Sequence, residues 1–287
     1  MKKTFSLNSK PITQASFFQP DGLSVTAVES WFKVKVQLIE RYVQSFIANA
    51  SGRADEIVFV DLCAGSGLYS FGHQKEIFAG ACLSLLSSNL PVSRWIFCER
   101  DHDQRHALQH RVTQYFRNKN VMILDEPVDE LADKLRSVIP QPARGNKTAV
   151  LCLVDPFSLE IPYATIDKLA SQGFSFLMPL TWMMNQRMNH TYYLEEHAAQ
   201  IKRFLGIADL QRLTKVQGNQ QFYKHIVRIY QNNMLMLGLN TALSVHKVES
   251  RLMELPAFYI GFFSKKFSTK AVLNDVQESE HVQFELW

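Results

Sequence analysis

The sequence predicts an α/β fold, a doubly wound (Rossmann-like) seven-stranded sheet with a helical insertion before the last strands. Three observations predict it. Between residues 57 and 180, short apolar runs alternate with helical stretches, and such alternation implies right-handed β-α-β crossovers. The runs are continuous rather than alternating, as strands buried on both faces of a parallel sheet require. A glycine-rich turn follows the first run. The chain's 287 residues, 46% apolar, suffice for one large domain.

Residues 1–24 are polar and mixed, with Pro11, Pro20 and Gly22, and read as an irregular arm. The domain then runs from 25 to 287. Val28, Trp31, Phe32, Val36, Ile39, Tyr42, Val43 and Phe46 recur at helical spacing, so a helix is expected over Val25–Ala50, ended by Ser51-Gly52. Ile57–Val60 is the first strand. A helix-like stretch covers Ala81–Leu90. Strands at Trp95–Cys98 and Val121–Leu124 flank a polar helix over Asp101–Arg117. A short helix at Glu126–Ser137 precedes the strongly apolar strand Ala149–Val154. Tyr163–Ser171 reads as a helix and Phe174–Met178 as a strand. A helical, locally basic insertion occupies about 186–240. Ala242–Val248 and Ala257–Ser264 are strands, with one more expected at Val282–Trp287 and the last strands antiparallel.

Charge is nearly balanced, with 31 Lys+Arg against 27 Asp+Glu and a formal net charge of +4. That permits an anionic partner without demanding one. Cys63, Cys82, Cys98 and Cys152 include no C-x-x-C pair, and the nine histidines have no ligand spacing, so no metal site is expected. Reduced, buried thiols in a cytoplasmic protein are the expectation. No apolar run follows Met1-Lys2-Lys3, so no signal peptide is read, and no stretch approaches the roughly 20 apolar residues of a membrane span.

The informative stretch is Val60-Asp61-Leu62-Cys63-Ala64-Gly65-Ser66-Gly67. A strand ends and the chain turns tightly, at the sheet edge where ligands of open α/β folds bind. A dinucleotide fingerprint needs a third glycine, but Ser70 stands there. No Gly-Lys-Ser/Thr follows, which excludes a P-loop. Asp61 would repel a pyrophosphate but attract the ammonium group of S-adenosylmethionine (SAM), which carries no phosphate. Glu99, after the second strand, would accept hydrogen bonds from the ribose hydroxyls. Asp125, after the third, suits the adenine amino group. The expected cofactor set is therefore Asp61, Ala64, Gly65, Gly67, Glu99 and Asp125. Strand-end acids also serve as helix N-caps, and that alternative stays open, above all for Asp125.

The fourth strand ends in Asp155-Pro156-Phe157. Asp155 and the Pro156 carbonyl would accept hydrogen bonds from an amino group, and Phe157 would stack on its ring. The alternative is a capping acid and a core aromatic. Thr181-Trp182-Met183-Met184-Asn185 offers an aromatic and an amide near the same edge, or ordinary packing. Lys202, Arg203, Arg212, Lys215, Lys224, His225 and Arg228 make the later helices basic. They form either a phosphate-contacting face for nucleic acid or a solvated one.

Several of these segments resemble the three-Cys-motif partner proteins (TcmP-like). They are Trp31 and Lys35, Val60–Gly67, Phe78-Ala79-Gly80-Ala81, Phe97-Cys98-Glu99-Arg100, Val154-Asp155-Pro156-Phe157 and Tyr259–Lys266. The likeness spans roughly 28–270. It implies a class I SAM-dependent methyltransferase-like fold, bacterial origin, and a protein partner carrying a three-cysteine motif, in a mobile-element or phage-defence setting. Cys63 stands where the family often has an aromatic, and Ser158 where a glycine commonly follows Asp-Pro-Phe. Two functions are expected to compete. One is methyl transfer to a nitrogen of a nucleic-acid base or modified nucleotide. The other is a non-catalytic binding or assembly module.

Overall fold

A computed structural model describes residues 20–139, 147–184, 187, 189–248 and 255–284. Residues 1–19 of the leading arm, Asn185, the start of the insertion at 186, and residues 285–287 lie outside them.

The chain enters through the short strand β1 (Thr26–Ala27) and helix α1 (Phe32–Ala50), and then forms the first sheet strand, β2 (Glu56–Asp61). Apolar residues of α1 at three and four spacings are buried, Phe32, Val36, Ile39, Tyr42, Val43, Phe46 and Ile47 among them. Every residue of β2 from Ile57 to Asp61 is buried, as its unbroken apolar run requires.

The glycine turn does not lead into a helix. It leads into a hairpin, β3 (Leu68–Phe71) and β4 (Glu76–Ala79), and α2 (Ala81–Ser87) follows. Leu68 pairs with Ala79 and Phe71 with Glu76, and β1 adds to β3 in parallel. Helix α1 accordingly begins at Phe32, not Val25.

Next come β5 (Arg94–Cys98), α3 (His102–Tyr115), β6 (Val121–Leu124), α4 (Leu131–Val138), β7 (Thr148–Leu153), α5 (Tyr163–Ser171) and β8 (Ser175–Pro179). Four helices then intervene before the sheet resumes: α6 (His190–Glu195), α7 (Ala198–Leu205), α8 (Gln211–Thr214) and α9 (Asn219–Met236). The chain closes with β9 (Asn240–Lys247), β10 (Ala257–Ser264) and α10 (Thr269–Phe284).

The main sheet has seven strands in the order β6-β5-β2-β7-β8-β10-β9. This is a doubly wound, Rossmann-like α/β architecture. The pairs from β6 to β8 are parallel. Only β10 is reversed, antiparallel to both β8 and β9, so β9 runs with the other five rather than against them. The strand expected at Val282–Trp287 is helix as far as Phe284. Val272 and Val276, one turn apart, are buried, and Asp275 accepts a 2.7 Å hydrogen bond from Ser45 of α1. That contact seats α10 on α1. Helices α4, α5, α7 and α9 pack in succession as a second group.

From β2 the chain steps outward to β5 and β6, then returns to β7 on β2's other side. The order reverses between β2 and β7. Their carboxyl ends therefore flank a crevice at the topological switch point, where ligands of open α/β sheets bind.

Candidate functional site

Asp61 ends β2, and Asp155 lies two residues past the end of β7, so the two acids stand on opposite sides of the switch point. Asp61 is 3% exposed. Among the described residues it accepts one hydrogen bond, from the Cys63 N–H to Oδ1 at 3.0 Å. Burial pushes its pKa up to about 7, against that bond; Asp155 and Glu99 push in the same direction, and the nearby Lys35 ammonium opposes them. Asp61 is thus a buried carboxyl group with no direct ion pair among the described residues, the Lys35 ammonium being engaged by Asp155.

Glu99 is half-buried at the end of β5. Its Oε2 accepts the Gly65 N–H at 2.9 Å and its Oε1 the Asp101 N–H at 2.8 Å. Burial raises its pKa as well. Glu99 is no helix cap, because Asp101 caps α3 by accepting the Gln104 N–H. Asp125 does not cap either. It is exposed and pairs with Arg105 at 3.5 Å, while α4 begins at Leu131.

The two glycines differ. Both have positive φ, +62° at Gly65 and +81° at Gly67. A Cβ on Gly65 would meet only the Gln104 Oε1, at 3.3 Å. On Gly67 it would lie 2.7 Å from the Leu83 side chain and 3.1 Å from Leu108. Gly65 faces the open side of the turn. Gly67 packs against Leu83 and Leu108 on the side where a Cβ would stand. Ala64 is buried, and its N–H donates to the Cys98 carbonyl at 3.1 Å, tying the turn to β5.

Asp155 is not a free acceptor. Lys35 of α1, 2% exposed, lies 2.8 Å from its Oδ2 and 2.9 Å from its Oδ1, and the Thr181 hydroxyl donates to Oδ1 at 3.4 Å. The Lys35 ammonium also sits 3.9 Å from the Phe32 ring centroid. Phe157 stacks on Phe32, with centroids 5.7 Å apart and planes at 15°. Pro156, between Asp155 and Phe157 in the sequence, is buried. The first turns of α1 therefore meet both expected acceptor groups, the carboxylate with a cation and the ring with a ring. This replaces the expected arrangement, in which both faced a substrate.

Sequence reasoning gave Lys35 and Phe32 no part in the site. A signal was present, since Lys35 lies on the apolar face of α1, next to Val36 and one turn before Ile39. Buried lysines are nearly always paired. Arg111 was also missed. It is 0% exposed, between Leu108 and Val112 on an otherwise polar helix.

Trp182 is core, packed on Phe204 and Tyr230 at 4.8 and 5.7 Å. In the insertion, Arg212, Lys215, Lys224 and Arg228 are exposed, Lys202 and His225 half-buried, and Arg203 pairs with Asp129. The four cysteines are free. Among the described residues no group of three or more His, Cys, Asp and Glu is arranged for a metal ion, and no helix is long and apolar enough to cross a membrane.

No protein-family model matches the chain, and no curated protein matches it. Solved structures overlap it loosely. A Legionella pneumophila protein of family DUF519 shares 13% identity, covering 83% of this chain and 90% of that one, with a TM-score of 0.46. An O-methyltransferase from Bacillus cereus, solved with S-adenosylhomocysteine (SAH), shares 10%, covering 78% and 80%, with a TM-score of 0.42. A precorrin-6y C5,15-methyltransferase from Geobacter metallireducens shares 14%, covering 86% and 95%, with a TM-score of 0.41. These overlaps are too loose to assign a residue, a ligand or a reaction.

Proposed function

We propose that the chain is a SAM-dependent methyltransferase acting on a nitrogen of a nucleic-acid base or modified nucleotide. The observation that carries the reading is Asp61, a buried carboxyl group at the switch point with no direct ion pair among the described residues. The ammonium of an amino-acid tail supplies one, and a pyrophosphate would not. Above Gly65 a Cβ would meet the Gln104 side chain, whose movement would make room for a ligand. Glu99 keeps lone pairs for ribose hydroxyls beyond the two backbone bonds it already accepts. Asp125, exposed after β6, would take the adenine amino group.

When bound, SAM supplies an electrophilic methyl group. The chain supplies position, which is most of what such a transfer needs. Asp155, the Pro156 carbonyl and Phe157 would orient the acceptor, once Lys35 and Phe32 give way. The exposed cations of α8 and α9 support an anionic acceptor.

A second reading has its own observation. Lys35 and Phe32 already engage Asp155 and Phe157, which favours a SAM-binding module that does no transfer, such as a partner of a three-cysteine-motif protein. Incubation with deuteromethyl-SAM and pooled DNA and RNA, read by nucleoside mass spectrometry, separates the two. Label in a base nitrogen, lost in Asp155→Ala, is expected. SAM binding without label in any nucleoside sinks the first reading and leaves the second.

A further inference from the structure

A fully buried arginine needs partners for its five donors. Arg111 makes three hydrogen bonds, in two places. Its Nε and Nη2 donate to the two carboxylate oxygens of Asp21, each at 2.8 Å. Its Nη1 donates to the Ser66 carbonyl at 2.6 Å. Ser66 lies between the two positive-φ glycines, so this bond fixes the turn where the backbone is freest to move. The guanidinium holds the Asp21 carboxyl below its usual range.

Asp21 belongs to the leading segment, and that segment reaches the turn again at two other points. Beyond Asp21 the chain forms β1, which pairs with β3 directly after the turn, and the Val28 N–H donates to the Ser70 carbonyl at 2.8 Å. The Thr26 hydroxyl donates to the Gln104 Oε1 at 3.4 Å. That same oxygen is the atom over Gly65. The segment thus touches the turn through α3, through β3, and through the amide above Gly65.

We infer that Arg111 is a positioning residue for the glycine turn. With Asp21 it makes residues 20–28 a strap that holds the turn in its ligand-binding shape. The ligand side of this inference rests on the SAM reading. The strap's hold on the turn can be measured without any ligand.

Two measurements test it on the full chain: hydrogen exchange of amides 62–68 without ligand, and calorimetry with SAH. Asp21→Asn and Arg111→Met should speed exchange across 62–68 and weaken SAH at least tenfold. Arg111→Lys should fall between, because an ammonium reaches the Ser66 carbonyl but cannot bridge both Asp21 oxygens. Ile166→Ala, in the buried face of α5, should lower the melting temperature and move neither readout. Unchanged exchange at 62–68 in Asp21→Asn and Arg111→Met overturns the inference, whatever SAH does. So does Ile166→Ala moving both readouts equally. A wild-type chain that binds no SAH, with exchange responding as expected, overturns the cofactor reading and the ligand side of this one, and leaves the hold on the turn standing.

Discussion

Asp61 and Lys35 set the chemistry of the switch point. An ammonium ligand binds the Asp61 anion, not the acid. With a pKa near 7 in the free chain, binding below neutrality must release one proton, so apparent affinity should fall about tenfold per pH unit. Lys35 and Asp155 are coupled by burial, at 2% and 7% exposure. Removing one member of such a pair strands the other's charge. Lys35→Met should cost about 3–5 kcal/mol in urea unfolding, while Lys35→Met with Asp155→Leu should recover most of it. A double variant that loses the sum of the two single-variant losses would show that the pair is not coupled. The acid at the end of Glu56–Asp61 was legible because strand-end carboxylates follow directly from the pattern. The pairing of Asp155 was not, because Lys35 lies 120 residues earlier and nothing local links them.

The turn and its hairpin are built as one element. Gly67 packs against Leu83 and Leu108, and its φ of +81° is one that side chains rarely adopt. Gly67→Ala adds backbone strain to overpacking and should destabilise the chain by about 2–4 kcal/mol. Gly65→Ala, blocked only by the Gln104 amide, should cost less. Thermal melts of the two variants check the order, and a more severe Gly65→Ala would reverse these assignments. The inner strands β2, β5, β7 and β8 were legible because each is a largely apolar run buried on both faces. The hairpin was not. Its strands have four residues each and become ordered by packing Tyr69 against Phe32, at 5.6 Å, and against Phe78, also at 5.6 Å. Helix α10 escaped for a related reason: its core contacts are chiefly Val272 and Val276, and the β-branched tail around Val282 reads equally well as strand.

Across the whole molecule, Asp61, Glu99, Asp125 and Asp155 lie at the carboxyl edge of the sheet, while Arg212 of α8, Lys215 just past it, and Lys224 and Arg228 of α9 are exposed. If that surface meets phosphates, affinity for single-stranded DNA or RNA should fall linearly with log salt, and each cation removed should lessen the slope by about one. A salt slope unmoved by Lys224→Gln with Arg228→Gln would place the contacts elsewhere. Helix spacing made the insertion's helices legible, but spacing does not reveal whether their cations meet solvent or a partner.

The account stands most directly on calorimetry with SAH between pH 6 and 8, on the wild-type chain and on Asp61→Asn, with NAD as the comparison ligand. It predicts SAH binding that strengthens about tenfold per pH unit up to neutrality and then levels. It also predicts weak, pH-independent binding in Asp61→Asn, and none of NAD. Binding of NAD with no response to SAH, or SAH affinity indifferent to Asp61→Asn, would contradict it.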